Sequence, residues 1–131
     1  MTPAPTAPDS RRVATVLFGH GSRDPLWRKP MDAVAARMAE LEPGHPVVCA
    51  FLELAQPDLP AAVTQLVGAG ERHIRVLPLF LGVGKHARED LPLIAAAIRA
   101  QHPDLQLEVL PAVGDHAALI NLLAGIALDR S

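Results

Sequence analysis

Short apolar runs alternate along the chain with longer stretches in which apolar residues return every three or four positions. "VATVLF" (Val13 to Phe18), "PVVCAFLE" (Pro46 to Glu53), "IRVLPLFL" (Ile74 to Leu81) and "LQLEVLPA" (Leu105 to Ala112) are short and apolar, and predict four strands. They are nearly continuous rather than alternating, the pattern of a sheet covered on both faces. Between them Trp27, Met31, Val34, Met38 and Leu41 recur at helical steps, as do Leu59, Val63, Leu66 and Val67. Leu91, Ile94, Ala95 and Ile98 repeat the theme, and Leu119, Leu122, Leu123 and Ile126 close the chain. "EPGHP", "GAGE" and "QHPD" put Gly or Pro where the first three helices must stop. Asp24, Asp58, Asp90 and Asp115 stand near the helix starts, where a carboxylate can cap free N–H groups.

Four β–α units joined by right-handed crossovers predict an α/β three-layer sandwich, with helices on both faces of a parallel sheet. For a strand order of 2-1-3-4, the connection reverses between the first and third strands. Ligands of such sheets bind beyond the carboxyl ends of the strands at that point. The segments to search are therefore "GHGSRDP" after the first run and "GVGKHARED" after the third.

Both segments hold a histidine near two glycines, and Gly19, Gly21, Gly82 and Gly84 permit unusual backbone conformations and close ligand approach. Glu53 interrupts an apolar run at the end of the second strand. His20, Glu53 and His86 are equally spaced, 33 residues from 20 to 53 and from 53 to 86, about one β–α unit each. Equal steps return all three to one sheet edge, where two imidazoles and a carboxylate suit a divalent first-row metal or acid–base chemistry. Turn hydrogen bonding by the histidines and helix capping by Glu53 explain the same residues as well. Arg23, Arg28, Lys29, Lys85 and Arg88 add a basic rim suited to a carboxylate-bearing ligand, or a solvated helix face.

Rival motifs fit less well. "GVGKHA" has the form G-x-G-x-x-A of a dinucleotide-binding turn, but it follows the third strand, and Lys85 and His86 stand where a pyrophosphate would approach. A P-loop is excluded because Leu79 replaces its first glycine and His86 follows Lys85. Ser22 lacks the G-x-S-x-G context of a hydrolase, since His20 stands two positions before it. His45, His73, His102 and His116 lie in turns or at element ends, and each reads as solvated or locally bonded.

Composition narrows the partners. With 131 residues, 50% of them hydrophobic, the chain fits a single domain over residues 13–131, preceded by a Pro-rich leader over 1–12 expected to be disordered. A formal charge of −2 and only four aromatic residues argue against nucleic acid as a partner. The single Cys49 excludes an internal disulfide framework and points to a reducing, cytoplasmic setting. No apolar run approaches the ~18 residues of a membrane span.

"HGSRDP", the "FLE" ending of the second strand and "PLFLGVGKHAREDLP" together resemble the small CbiX-type sirohydrochlorin chelatases, from about Val13 to Leu128. The resemblance implies a chelatase-like, flavodoxin-like fold, a homodimer, and insertion of a divalent metal (Co2+, Fe2+ or Ni2+) into a tetrapyrrole without ATP or an organic cofactor. It implies metal-binding roles for His20 and His86 and a catalytic role for Glu53. Ser22, Arg23, Leu81, Gly82, Val83, Gly84, Lys85 and Arg88 become the expected substrate-binding residues. The chain departs from the family where many relatives read Ser-Pro-Gly-Arg-His: it has Gly82, Val83, Gly84, Lys85 and His86, so a lysine replaces a planar, bidentate arginine. A carrier that binds a metal or tetrapyrrole without chelatase activity is the alternative.

Overall fold

The computed structural model describes residues 12–130. The leader expected over 1–12 lies outside the described residues except for Arg12, whose guanidinium reaches the buried Glu71 carboxylate at 2.8 Å. In chain order the elements are β1 (Ala14–Gly19), a 3-10 turn (Pro25–Arg28), α1 (Lys29–Leu41), β2 (Val47–Phe51), α2 (Leu59–Gly68) and β3 (His73–Pro78). They continue with α3 (Lys85–Gln101), β4 (Gln106–Val109), a second 3-10 turn (Val113–Asp115) and α4 (Ala117–Ala127). The strands are parallel, as the crossovers require, and take the order β2-β1-β3-β4 supposed from the sequence.

β1 sits inside the sheet and is buried at every position, which explains its unbroken apolar run. On one face α2 and α3 bury Val63, Leu66 and Ile98 against Val16, Phe18, Ile74 and Val76. Phe18 and Phe80 meet edge to face there, centroids 5.8 Å apart. On the other face α1 presses Met31 onto Leu17 and Phe51. β3 accordingly alternates, with Ile74, Val76 and Pro78 buried and Arg75 exposed.

Four boundaries differ clearly from the sequence expectation. β2 stops at Phe51, because its amide bonds the Pro57 carbonyl at 2.9 Å and the chain turns back. Glu53 therefore lies past the strand. β3 stops at Pro78 and β4 at Val109, short of the apolar runs. α3 begins at Lys85, well before the apolar periodicity at Leu91, because its first turn is mostly exposed and hides its helical period. Asp24 and Asp58 cap as expected, accepting from the Leu26 and Ala61 amides at 2.9 Å. Asp90 instead lies inside α3 and Asp115 inside the second 3-10 turn; Gly84 and His116, which precede α3 and α4, make no side-chain cap bond. No helix among the described residues is long and apolar enough to cross a membrane.

Candidate active site

His20 follows the last residue of β1 and is exposed, its ring resting on that of buried Phe80, with centroids 4.4 Å apart at 38°. Two backbone hydrogen bonds join the two segments beyond the strand ends: the Leu52 and Glu53 amides donate to the Gly19 and His20 carbonyls, each at 2.9 Å. Glu53 is thereby carried to the side of His20, with its side chain exposed. Gly21 makes this possible. Its φ is +99°, and a Cβ there would overlap the Glu53 carbonyl oxygen. Leu54, with φ 64°, then turns the chain in a left-handed conformation that costs a non-glycine residue about 1 kcal/mol or more.

The loop after β3 flanks the same point, because the Leu79 amide donates to the Phe18 carbonyl at 2.8 Å. Lys85, His86 and Arg88, expected in a loop, belong to the first turn of α3 and are exposed. Gly84 caps that helix with extended backbone and no side chain. Its first intrahelical bond is from the Arg88 amide at 3.0 Å, which leaves the N–H groups of Lys85, His86 and Ala87 without helical acceptors. Such a terminus carries positive partial charge and favours anions. Of the four glycines singled out by sequence, Gly21 alone has positive φ, and a Cβ on Gly82 or Gly84 would meet nothing within 4 Å.

The second 3-10 turn holds this loop from behind: the Gly114 amide donates to the Phe80 carbonyl at 3.1 Å, and a Cβ on Gly114 would overlap the Leu81 carbonyl. Sequence reasoning missed both Gly114 and the Phe80 support for His20. "VGDHAAL" carried a glycine signal for the first, but nothing local marks Phe80 as the residue beneath His20.

The remaining expected residues divide. Arg23 and Lys85 are exposed, with no ion pair among the described residues, and Leu81 is 69% exposed. Ser22 shapes its own turn, its hydroxyl accepting from the Asp24 amide at 3.0 Å. Val83 packs against the main core and, with Arg88 and Leu91, lines a groove of about 340 Å³ between α3 and β4. Arg28 departs from the expected rim: it bonds Asp32 at 3.1 Å and lies 4.9 Å from the Phe51 ring centre. The Asp32 bond raises its already high pKa. Cys49 is part-buried, and that burial pushes its thiol up, a poor setting for a nucleophile. His45 bonds the Thr15 hydroxyl at 2.8 Å through Nε2. Among the described residues no three His, Cys, Asp or Glu side chains converge as a metal cage.

A family model described as CbiX matches residues 14–127. The chain belongs to the CbiX family. Its relatives include the sirohydrochlorin cobaltochelatase of Methanothermobacter thermautotrophicus, 34% identical over 83 residues, which are 63% of this chain and 57% of that protein. The chain thus spans little more than half the length of the curated relatives it matches. The CbiX protein of Marinobacter aquaeolei superposes with a TM-score of 0.76 and 26% identity, over 89% of this chain and 93% of that one. The sirohydrochlorin chelatase SirB of Bacillus subtilis subspecies spizizenii, solved in complex with cobalt, superposes with a TM-score of 0.69 and 25% identity, over 90% of this chain and 50% of that one.

Proposed function

We propose that this CbiX protein inserts a divalent metal, cobalt or iron, into sirohydrochlorin or a closely related tetrapyrrole, as a cytoplasmic homodimer and without ATP or an organic cofactor. The observation that carries the reading is the backbone pairing that sets Glu53 beside His20 at the switch point, with His86 opening α3 on the other side of the β1 end. Family membership and a cobaltochelatase relative support the same chemistry.

Insertion exchanges two pyrrole N–H protons for one M2+ ion, so metal and proton acceptor must meet at the ring. Holding them there supplies proximity that free reactants lack. Neutral imidazoles of His20 and His86 hold the incoming ion and leave coordination positions open for the ring nitrogens. Phe80 fixes the plane of the His20 ring, and Glu53 takes up or relays the displaced protons. Lys85, Arg23 and the free N–H groups of α3 pair with the carboxylates of the macrocycle, and exposed Leu81 offers it apolar contact.

The test is insertion of cobalt(II) or iron(II) into sirohydrochlorin by purified protein, followed as loss of the metal-free spectrum. His20→Ala and His86→Ala are each expected to slow insertion by about a hundredfold. A rate unchanged in both variants would overturn the assignment, and tight metal binding without accelerated insertion would favour a carrier.

A further inference from the structure

Among the described residues two non-glycines have positive φ, Asp129 at 59° and Leu54 at 64°. Asp129 stands just past the cap of α4, where chains commonly pass through the left-handed region, and its short polar side chain tolerates it. Leu54 has neither feature. A bulky apolar residue at positive φ is a genuine outlier, and such positions gather where a molecule binds or reacts.

The turn itself needs only the backbone. The Glu53 amide bonds the His20 carbonyl and the Phe51 amide bonds the Pro57 carbonyl, each at 2.9 Å, so the chain must reverse directly after Glu53. Glycine enters that conformation freely. Leucine in its place must be explained by the side chain, and the fold makes little use of it. Leu54 is 52% exposed and belongs to neither core cluster, whereas its neighbour Ala55 packs against Leu17, Met31 and Phe51.

The side chain that the fold leaves unused stands at the proposed site. Leu54 follows Glu53, which is held beside His20. The other two strand exits carry counterparts: Leu26, 64% exposed, in the turn after His20, and Leu81, also exposed, in the loop before His86. Both sit on backbone fixed from elsewhere, Leu26 by the Asp24 carboxylate on its amide and Leu81 by Gly114 lying against its carbonyl. Apolar side chains standing among imidazole, carboxylate and cationic groups suit a ligand with flat hydrocarbon faces and charged edges. A conjugated macrocycle carrying carboxylates has that distribution. A free metal ion has no use for the leucines.

We infer that Leu54 is a ring-binding residue, held out at the strained turn so that its side chain packs on a flat face of the bound tetrapyrrole beside Glu53. This rests on the tetrapyrrole reading above and adds to it a residue that contacts the ring face. The test is equilibrium binding of sirohydrochlorin without metal, read from the ring's own absorbance, so that a failed insertion assay leaves the contact measurable. Leu54→Gly and Leu54→Asn, both suited to positive φ, are expected to weaken binding about tenfold while the thermal unfolding midpoint stays within about 2 °C of the native chain or rises. Leu54→Met is expected to bind about threefold more tightly than Leu54→Asn, and Leu93→Ala, on the exposed surface of α3, to bind as the native chain does. Binding unchanged in both Leu54→Gly and Leu54→Asn would overturn the inference, as would a midpoint lowered further than that in both, which makes the side chain a packing residue. A changed sedimentation of Leu54→Gly would overturn it too, by giving the leucine to another copy of the chain. A native chain that binds no ring removes the reading above along with this inference.

Discussion

The two glycine-bearing histidine segments look like equivalents in the sequence and are built on different terms. The His20 side is locked: its loop is hydrogen-bonded to the β2 exit, Gly21 leaves room for nothing larger, and a Cβ on Gly19 would stand 3.1 Å from both Met31 and Trp27. The His86 side is open, with Gly82 and Gly84 in free space and the histidine in an uncapped helical turn. One loop holds its histidine by backbone hydrogen bonds to the segment leaving β2. The other offers a helix terminus that substrate can approach. The metal insertion proposed here would use both, a fixed point for the ion and an accessible rim for a large ring.

This contrast can be broken at graded strength. Gly21→Ala should do most damage, about 3 kcal/mol in denaturant unfolding, because it combines positive φ with overlap on the Glu53 carbonyl. Insertion should fall with it, and a near-native stability would show that the loop relaxes freely. Gly19→Ala should cost about 1 kcal/mol, since flexible Met31 can give way. Lys85→Ala should leave the fold intact and raise KM for the tetrapyrrole about fivefold with kcat little changed, as expected for an exposed charge contact. A fall in kcat alone would move Lys85 from binding to chemistry. Gly82→Ala should change stability by less than about 0.5 kcal/mol, the smallest effect and the sharpest contrast with Gly21.

Much of the architecture was legible because burial writes itself into the chain. β1 lies inside the sheet, so Val13 to Phe18 read as a strand without ambiguity, and the β–α alternation implied parallel strands, while nothing in the pattern fixed their order. Asp58 was legible as a cap because capping is local chemistry. Asp90 misled for the complementary reason: a polar, exposed first turn concealed that α3 had already begun. At the site, the edge on which His20, Glu53 and His86 fall could be read from spacing. The division of labour among the rim cations could not, because Arg28 is drawn to Asp32 and Phe51 by packing that no local pattern announces.

The sequence by itself determined which loops the sheet edge collects, since the alternation of apolar runs places each strand and helix in turn and the twist of the strands sets the hand of each crossover. Only the tertiary structure decided what surrounds each of them. The Glu53 carbonyl packs where a Gly21 side chain would be, Phe80 lies under His20, and an apolar α4 stands clear of its own core. Those outcomes depend on contacts between segments far apart in the chain, whose geometry is fixed only when the whole sheet is assembled.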